Sequence, residues 1–277
     1  MEIELINTGY FKLDGGAMFG VVPKSLWSRT NPPDENNLCT WAMRSLIIKE
    51  GNRSIIVDNG IGDKQSDKFF SFYYLHGDDS LDRGLKKSDL GYNEITDAFL
   101  THLHFDHCGG GVKREGDTLV PTFENAIYWS NHDHWKWATE PNPREKASFL
   151  AENILPMQES GQLQFVGMEE ENRLPFDIIF VDGHTDKQML PKLKYKGKTL
   201  VFVADLLPSV GHIPLPYVMG YDTRPLLTME EKAKLLKEAA DNKYILVFQH
   251  DPVNECCTVK HTEKGVRVDQ VFPFSEI

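Results

Sequence analysis

The sequence predicts an α+β fold in which two sheets lie face to face with helices outside. Two observations carry that expectation. Short apolar, β-branched runs recur along the chain, and several end in a histidine or an aspartate. Stretches with helical patterning are mixed among them in chain order. At 277 residues the chain is long for one average domain, yet within the range of a single large sandwich or barrel. One domain spanning 1–277 is expected, with an elaborated segment inside it and no linker.

Taken in order, residues 1–60 read as short strands and turns, with 31–37 as a Pro- and Asn-rich loop. Within them, Ser54-Ile-Ile-Val-Asp58 is an apolar strand that ends in a carboxylate. Residues 61–92 are polar around Phe69-Phe-Ser-Phe-Tyr-Tyr74 and read as a helical or irregular connection near an active-site mouth. Glu94–Thr101 and Ala126–Trp129 read as strands, and Asn131–Thr139 as the start of a helical stretch. Residues 142–156 read as a helix with Pro143 in its first turn, where a missing N–H is tolerated. Phe176–His184, Thr199–Asp205 and Tyr244–His250 read as buried strands, each delivering a ligand-type residue at its C-terminal end. The basic run Lys192–Lys198 reads as a solvated hairpin. Thr228–Ala240 is the clearest helix: Thr228 and Glu231 form a capping-box pattern, and Leu235, Leu236 and Ala239 share a face.

The densest chemistry lies in Thr-His-Leu-His-Phe-Asp-His-Cys-Gly-Gly, residues 101–110. In an extended segment side chains two apart point the same way, so His102 and His104 can grip one cation together. Asp106 and His107 sit where the chain should turn into Gly109-Gly110-Gly111, and there they can face a second cation. Nitrogen and carboxylate donors of this kind suit zinc, with iron, manganese and cobalt as alternatives. A two-metal shell needs about seven protein ligands. His184, Asp205 and His250, at the three strand ends, complete that number.

With these residues in place, the chain resembles the metallo-β-lactamase superfamily of metal-dependent hydrolases. The likeness rests on His102-x-His104-x-Asp106-His107, Gly183-His184-Thr185, Asp205, His250 and the early strand ending in Asp58. It implies a four-layer αββα sandwich. It also implies that His102, His104 and His184 hold one metal and that Asp106, His107 and His250 hold the other. Asp205 then bridges the two together with a water or hydroxide. The segment Phe11–Trp27 is similar to the branch containing acyl-homoserine-lactone lactonases and enzymes like methyl parathion hydrolase. There are two departures. Lactonases of that branch often carry a tyrosine three residues after the bridging aspartate, where this chain has Pro208; Tyr217, Tyr221 and His212 are the candidate substitutes. Many relatives continue Gly-His-Thr with Pro-Gly, where this chain has Asp186-Lys187.

The implied activity is hydrolysis of a lactone or carboxylic ester, such as an N-acyl-homoserine lactone, by a metal-bridging hydroxide. Phosphotriester or phosphodiester hydrolysis on the same metals is the alternative, and a diiron redox protein a more distant one. Asp106 is expected to be both ligand and orienter of the nucleophile, Asp58 to fix a histidine or the loop backbone, and His212 to help at the substrate or to serve structure alone. Met18, Phe19, Trp27 and Tyr128–Trp137 are expected to form an apolar pocket wall, and His132 and His134 to lie at the surface or the pocket rim. The apolar segment Phe11–Trp27 further points to a homodimer. A net charge of −11 argues against a nucleic-acid partner. The four cysteines show no framework spacing, and Cys108 reads as a packing residue. With no basic-then-apolar start and no membrane-length apolar run, a small-molecule substrate in the cytoplasm is expected.

Overall fold

The computed structural model describes residues 1–167 and 174–277. Contacts divide them into two compact units, Met1–Gly9 with Met43–Pro175 and Tyr10–Ala42 with Phe176–Ile277. Among the described residues no helix is long and apolar enough to cross a membrane.

One sheet has the order β1-β2-β3-β4-β7-β8, formed by β1 (Glu2–Asp14), β2 (Leu38–Glu50), β3 (Arg53–Val57), β4 (Asp97–Phe99), β7 (Ile127–Ser130) and β8 (Leu163–Phe165). β2 and β3 pair antiparallel, while β3, β4, β7 and β8 run parallel, so their C-terminal ends gather at one edge. The motif at 101–110 leaves from that edge, just past β4. β5 (Val112–Glu115) and β6 (Thr118–Pro121) form a separate hairpin, on which the helix Ala151–Glu159 packs. Ile47, Ile56, Ala98, Leu100, Phe123, Tyr128, Ile154 and Met157 belong to the core of this unit.

The second sheet has the order β14-β13-β12-β11-β10-β9. Its strands are β9 (Asp177–Val181), β10 (Gln188–Tyr195), β11 (Lys198–Phe202), β12 (Ile245–Val247), β13 (Cys256–Thr262) and β14 (Gly265–Phe272). β11 and β12 are its one parallel pair among the described strands, and both are buried throughout their apolar lengths. The long helix Pro225–Asn242 packs on β13 and β14 through a face that includes Leu235, Leu236 and Ala239.

Several elements differ from the sequence reading. β1 and β2 are long strands of 13 residues each, where short ones were expected. β9 is an edge strand whose Asp177 and Phe180 face solvent, so it is not buried as β11 and β12 are. The helix expected over 142–156 begins only at Ala151 and carries Pro156 inside it; residues 142–148 are turns held by the Asn142 carboxamide. The clearest helix starts at Pro225, a favoured first position, so Thr228 and Glu231 lie within it and do not cap it. The hairpin through Lys196-Gly197, between β10 and β11, is as expected.

Candidate metal centre

In the first unit the ligand-type side chains converge around Asp58. The backbone of Asp58 lies in the left-handed region (φ 56°), a conformation that a non-glycine residue adopts at some cost. Its carboxylate accepts the Thr101 N–H (2.8 Å), the Thr101 hydroxyl (2.8 Å) and the His107 Nδ1–H (3.0 Å). Because the Thr101 hydroxyl donates to Asp58, its oxygen is left to accept from His102 Nδ1 (3.1 Å). One buried carboxylate therefore fixes two imidazoles and turns the Nε2 of each away from it. Asp58 does both things expected of it, holding a histidine and the loop backbone.

His102 Nε2 and His104 Nδ1 lie 3.1 Å apart. Two ligands on one tetrahedral ion, with bonds of about 2.0–2.1 Å, are separated by about 3.3 Å. The separation fits two donors to a shared cation. His104 Nε2 faces the Glu145 carboxylate at 3.5 Å, which also accepts from Trp137 Nε1 (2.7 Å) and Asn142 Nδ2 (2.6 Å). Asp106 and His107 ride on the one-turn helix Phe105–Cys108, with His107 Nε2 3.5 Å from the Asp106 carboxylate. The turn after them is closed by glycines. A Cβ on Gly109 would stand 2.1 Å from the Ile61 carbonyl oxygen, and one on Gly110 2.1 Å from that of Asn59.

His134 departs from expectation. It is buried, and its Nε2 accepts the Leu103 N–H (2.9 Å), the peptide between His102 and His104. His132 alone of that pair is at the surface.

The second unit gathers the other three expected ligands. Asp205 Oδ2 lies 3.1 Å from His184 Nε2, and Asp205 Oδ1 lies 2.9 Å from His250 Nε2. A carboxylate that reaches two imidazoles with different oxygens has the form a bridging ligand requires. His184 Nδ1–H donates to Asp222 (2.9 Å) and His250 Nδ1–H to the Ala42 carbonyl (2.7 Å), which makes Nε2 the nitrogen that each turns toward Asp205. Just before Asp205, Ala204 takes φ 38°, a second left-handed residue at a ligand. Lys187 stands at φ 54°, where glycine is favoured, and Asp182 holds both its N–H (2.9 Å) and its Nζ (3.1 Å). The altered Asp186-Lys187 turn is thus stabilised by side chains.

His212 is 1% exposed and locked. Its Nε2–H donates to the Met18 carbonyl (2.9 Å), Nδ1 pairs with the Ser209 hydroxyl (2.8 Å), and Phe19 stacks on the ring at 4.4 Å. Burial drives its pKa down to about 3, so the ring is neutral. This is the structural arrangement weighed for His212, and it leaves neither nitrogen for a substrate. Phe19 also stacks on Trp27, and Met18, Phe19 and Trp27 are all buried, so they form core and not a pocket wall. Tyr128 is likewise interior, its hydroxyl bonded to the Gly111 carbonyl. The apolar surface beside a ligand comes instead from Phe69 and Tyr73, whose rings lie 5.4 and 4.7 Å from that of Phe105, next to Asp106. Burial, then the nearby Asp106 charge, raises the Tyr73 hydroxyl to about 12. The four cysteines are buried and none is in a disulfide.

The family model of the metallo-β-lactamase superfamily matches residues 44–250, a span that contains every ligand-type residue above. The chain belongs to the metallo-β-lactamase superfamily. Membership makes it a hydrolase, and its two six-stranded sheets with helices are the α+β class expected. A probable metal-dependent hydrolase from Staphylococcus aureus is similar over 98% of this chain and 96% of its own, at 28% identity and a TM-score of 0.87. The dizinc quorum-quenching lactonase AidC, in complex with a product, is similar at 20% identity and a TM-score of 0.79, over 98% of this chain and 95% of its own. The hydrolase AbOPH of the β-lactamase superfamily stands at 20% and 0.78, over 98% and 94%. At that identity the last two likenesses concern the fold. A comparison with curated proteins gives no match.

Thr101, His134, Glu145 and Asp222 were missed from sequence. No spacing marks them, because Thr101, His134 and Asp222 act through hydrogen bonds to a ligand-type side chain or the peptide beside one, and Glu145 through a carboxylate 3.5 Å from His104.

Proposed function

We propose that this superfamily member is a dinuclear hydrolase of lactones or carboxylic esters. On this reading His102, His104, His184 and Asp205 would hold one divalent ion and Asp106, His107 and His250 another, and Asp205, whose second oxygen lies 2.9 Å from His250 Nε2, would serve both. Zinc is the ion the donor set fits best, since nitrogen and carboxylate ligands predominate. The observation that carries the reading is the fixing of Nδ1 on His102, His107, His184 and His250, which leaves Nε2 of each as donor. When bound, the ions supply a hydroxide nucleophile at neutral pH and stabilise negative charge on the substrate oxygen.

The chain's own residues do the rest. The Asp106 carboxylate orients the attacking water, takes up its proton and returns it to the leaving alkoxide. Asp58 and Asp222 hold the imidazoles in one tautomer through the cycle. Phe69, Tyr73 and Phe105 give an acyl chain an apolar surface, which favours a lactone or ester over a highly charged substrate. His212 has no proton-transfer role. The likeness to AidC, a quorum-quenching lactonase, supports the same substrate class, and phosphotriesters, which the same two ions would also serve, are the second reading. The test is a hydrolysis panel of N-acyl lactones, aryl esters and aryl phosphotriesters with metal-reconstituted protein. Turnover of lactones or esters is expected; turnover of phosphotriesters alone transfers the proposal to the second reading.

A further inference from the structure

Two consecutive residues of helix Pro225–Asn242, Glu231 and Lys232, hydrogen-bond to the loops that carry His184 and Asp205 in its own unit. The Glu231 carboxylate accepts the N–H groups of Asp182 (2.7 Å) and Gly183 (3.0 Å), the two peptides that lead into His184. Gly183 lies hard against the same helix: a Cβ there would stand 2.4 Å from the Thr228 nitrogen. The next residue, Lys232, has a relative exposure of 0%. Its ammonium donates to the carbonyls of His212 (2.7 Å), Tyr217 (2.7 Å) and Pro214 (3.2 Å). Three acceptors match its three protons.

Those carbonyls belong to the chain that runs from Asp205 to Asp222. Its two ends hold His184 from opposite nitrogens, Asp205 at Nε2 and Asp222 at Nδ1. Glu231 thus anchors the turn that delivers His184, and Lys232 anchors the loop between the two carboxylates that flank it. A buried ammonium is costly compared with an apolar residue, and burial drives the Lys232 pKa down to about 7. Packing against β13 and β14 needs no such group at this position. Fixing a loop that has no strand to hold it does.

We infer that Glu231 and Lys232 are a pair of positioning residues, which set His184 and Asp205 at ligand distance by tying two loops to one rigid helix. This rests on the metal reading of His184 and Asp205 given above. Partners of this kind, which touch the residues that hold a ligand, change metal affinity by about 10–100-fold when removed.

The experiment is zinc affinity by chelator competition on the wild type, Lys232→Met, Glu231→Gln and the control Leu235→Val, which alters a buried residue of the same helix. It is run at a temperature where circular dichroism shows each protein folded. Lys232→Met and Glu231→Gln are each expected to weaken zinc binding by about tenfold or more, while Leu235→Val lowers Tm and leaves affinity unchanged. Wild-type binding with unchanged affinity in Lys232→Met and Glu231→Gln overturns the inference alone, as does equal weakening by Leu235→Val. A folded wild type that binds no zinc overturns the metal reading and the inference with it. If Lys232→Met does not fold, Glu231→Gln, which keeps size and removes one acceptor, decides the matter.

Discussion

His212 shows how a single residue's surroundings define its role. Burial holds its imidazole neutral down to about pH 3, while an unfolded chain protonates it near about 6.5. Between those values the unfolded state binds a proton that the folded state refuses. Its contribution to stability is therefore fully present above about pH 6.5 and is lost as pH falls toward about 3. Urea unfolding of metal-free protein at neutral pH and near pH 4.5 should show wild type losing about 2–3 kcal/mol more than His212→Gln. Equal losses in the two proteins would place the acid sensitivity elsewhere. Because both ring nitrogens serve the fold, His212→Gln should also lower turnover of lactones and phosphotriesters alike. A selective loss on lactones would return His212 to the chemistry.

At the level of elements, the glycine turn after the Asp106-His107 helix is the tightest joint near the ligands. Gly110 meets the Asn59 carbonyl, and Asn59 follows Asp58 at the end of β3. The severe contact of Gly110→Ala is with that backbone oxygen at 2.1 Å, and the Leu81 side chain stands at 3.2 Å. A loss of about 2–4 kcal/mol of stability is expected, in the range of overpacked or strained sites, together with loss of bound metal because Asp106 and His107 move with the turn. Unchanged urea midpoints would show that the turn relaxes easily. The ligand-type residues that gather in the structure were legible because His and Asp at strand ends and in a six-residue cluster have no other common use. The strand ends at Asp58, Asp205 and His250 were legible for the same reason, since apolar runs stop where the chemistry begins. What the sequence hid was long-range. Nothing adjacent to Asp222 or Glu145 announces a partner 38 or 41 residues away. The capping-box pattern at Thr228–Glu231 misled because Glu231 bonds another loop's N–H groups instead of its own helix's. Phe19 and Trp27 looked like a pocket wall because His212, which stacks on the Phe19 ring that Trp27 also stacks on, lies far along the chain.

For the whole molecule, that internal stacking changes the basis of the dimer expectation. Of the apolar side chains in Phe11–Trp27, Val21 at 95% exposure, Leu26 at 42% and Pro23 remain outside. We propose that this turn forms a two-fold interface, since exposed apolar groups of this kind mark contact surfaces. Light scattering at micromolar concentration should report a dimer, and Val21→Lys should convert it to monomer without loss of bound metal. Monomer in the wild type removes the interface and leaves the metal site untouched. The central claim is that seven side chains hold two divalent ions, with Asp205 common to both. Its most direct measurement is elemental analysis of folded protein expressed with added zinc, wild type beside Asp205→Ala. The account predicts about two transition-metal ions per wild-type chain, and loss from both sites in the variant. Folded wild type that carries no metal, or an Asp205→Ala variant that retains both ions, contradicts it.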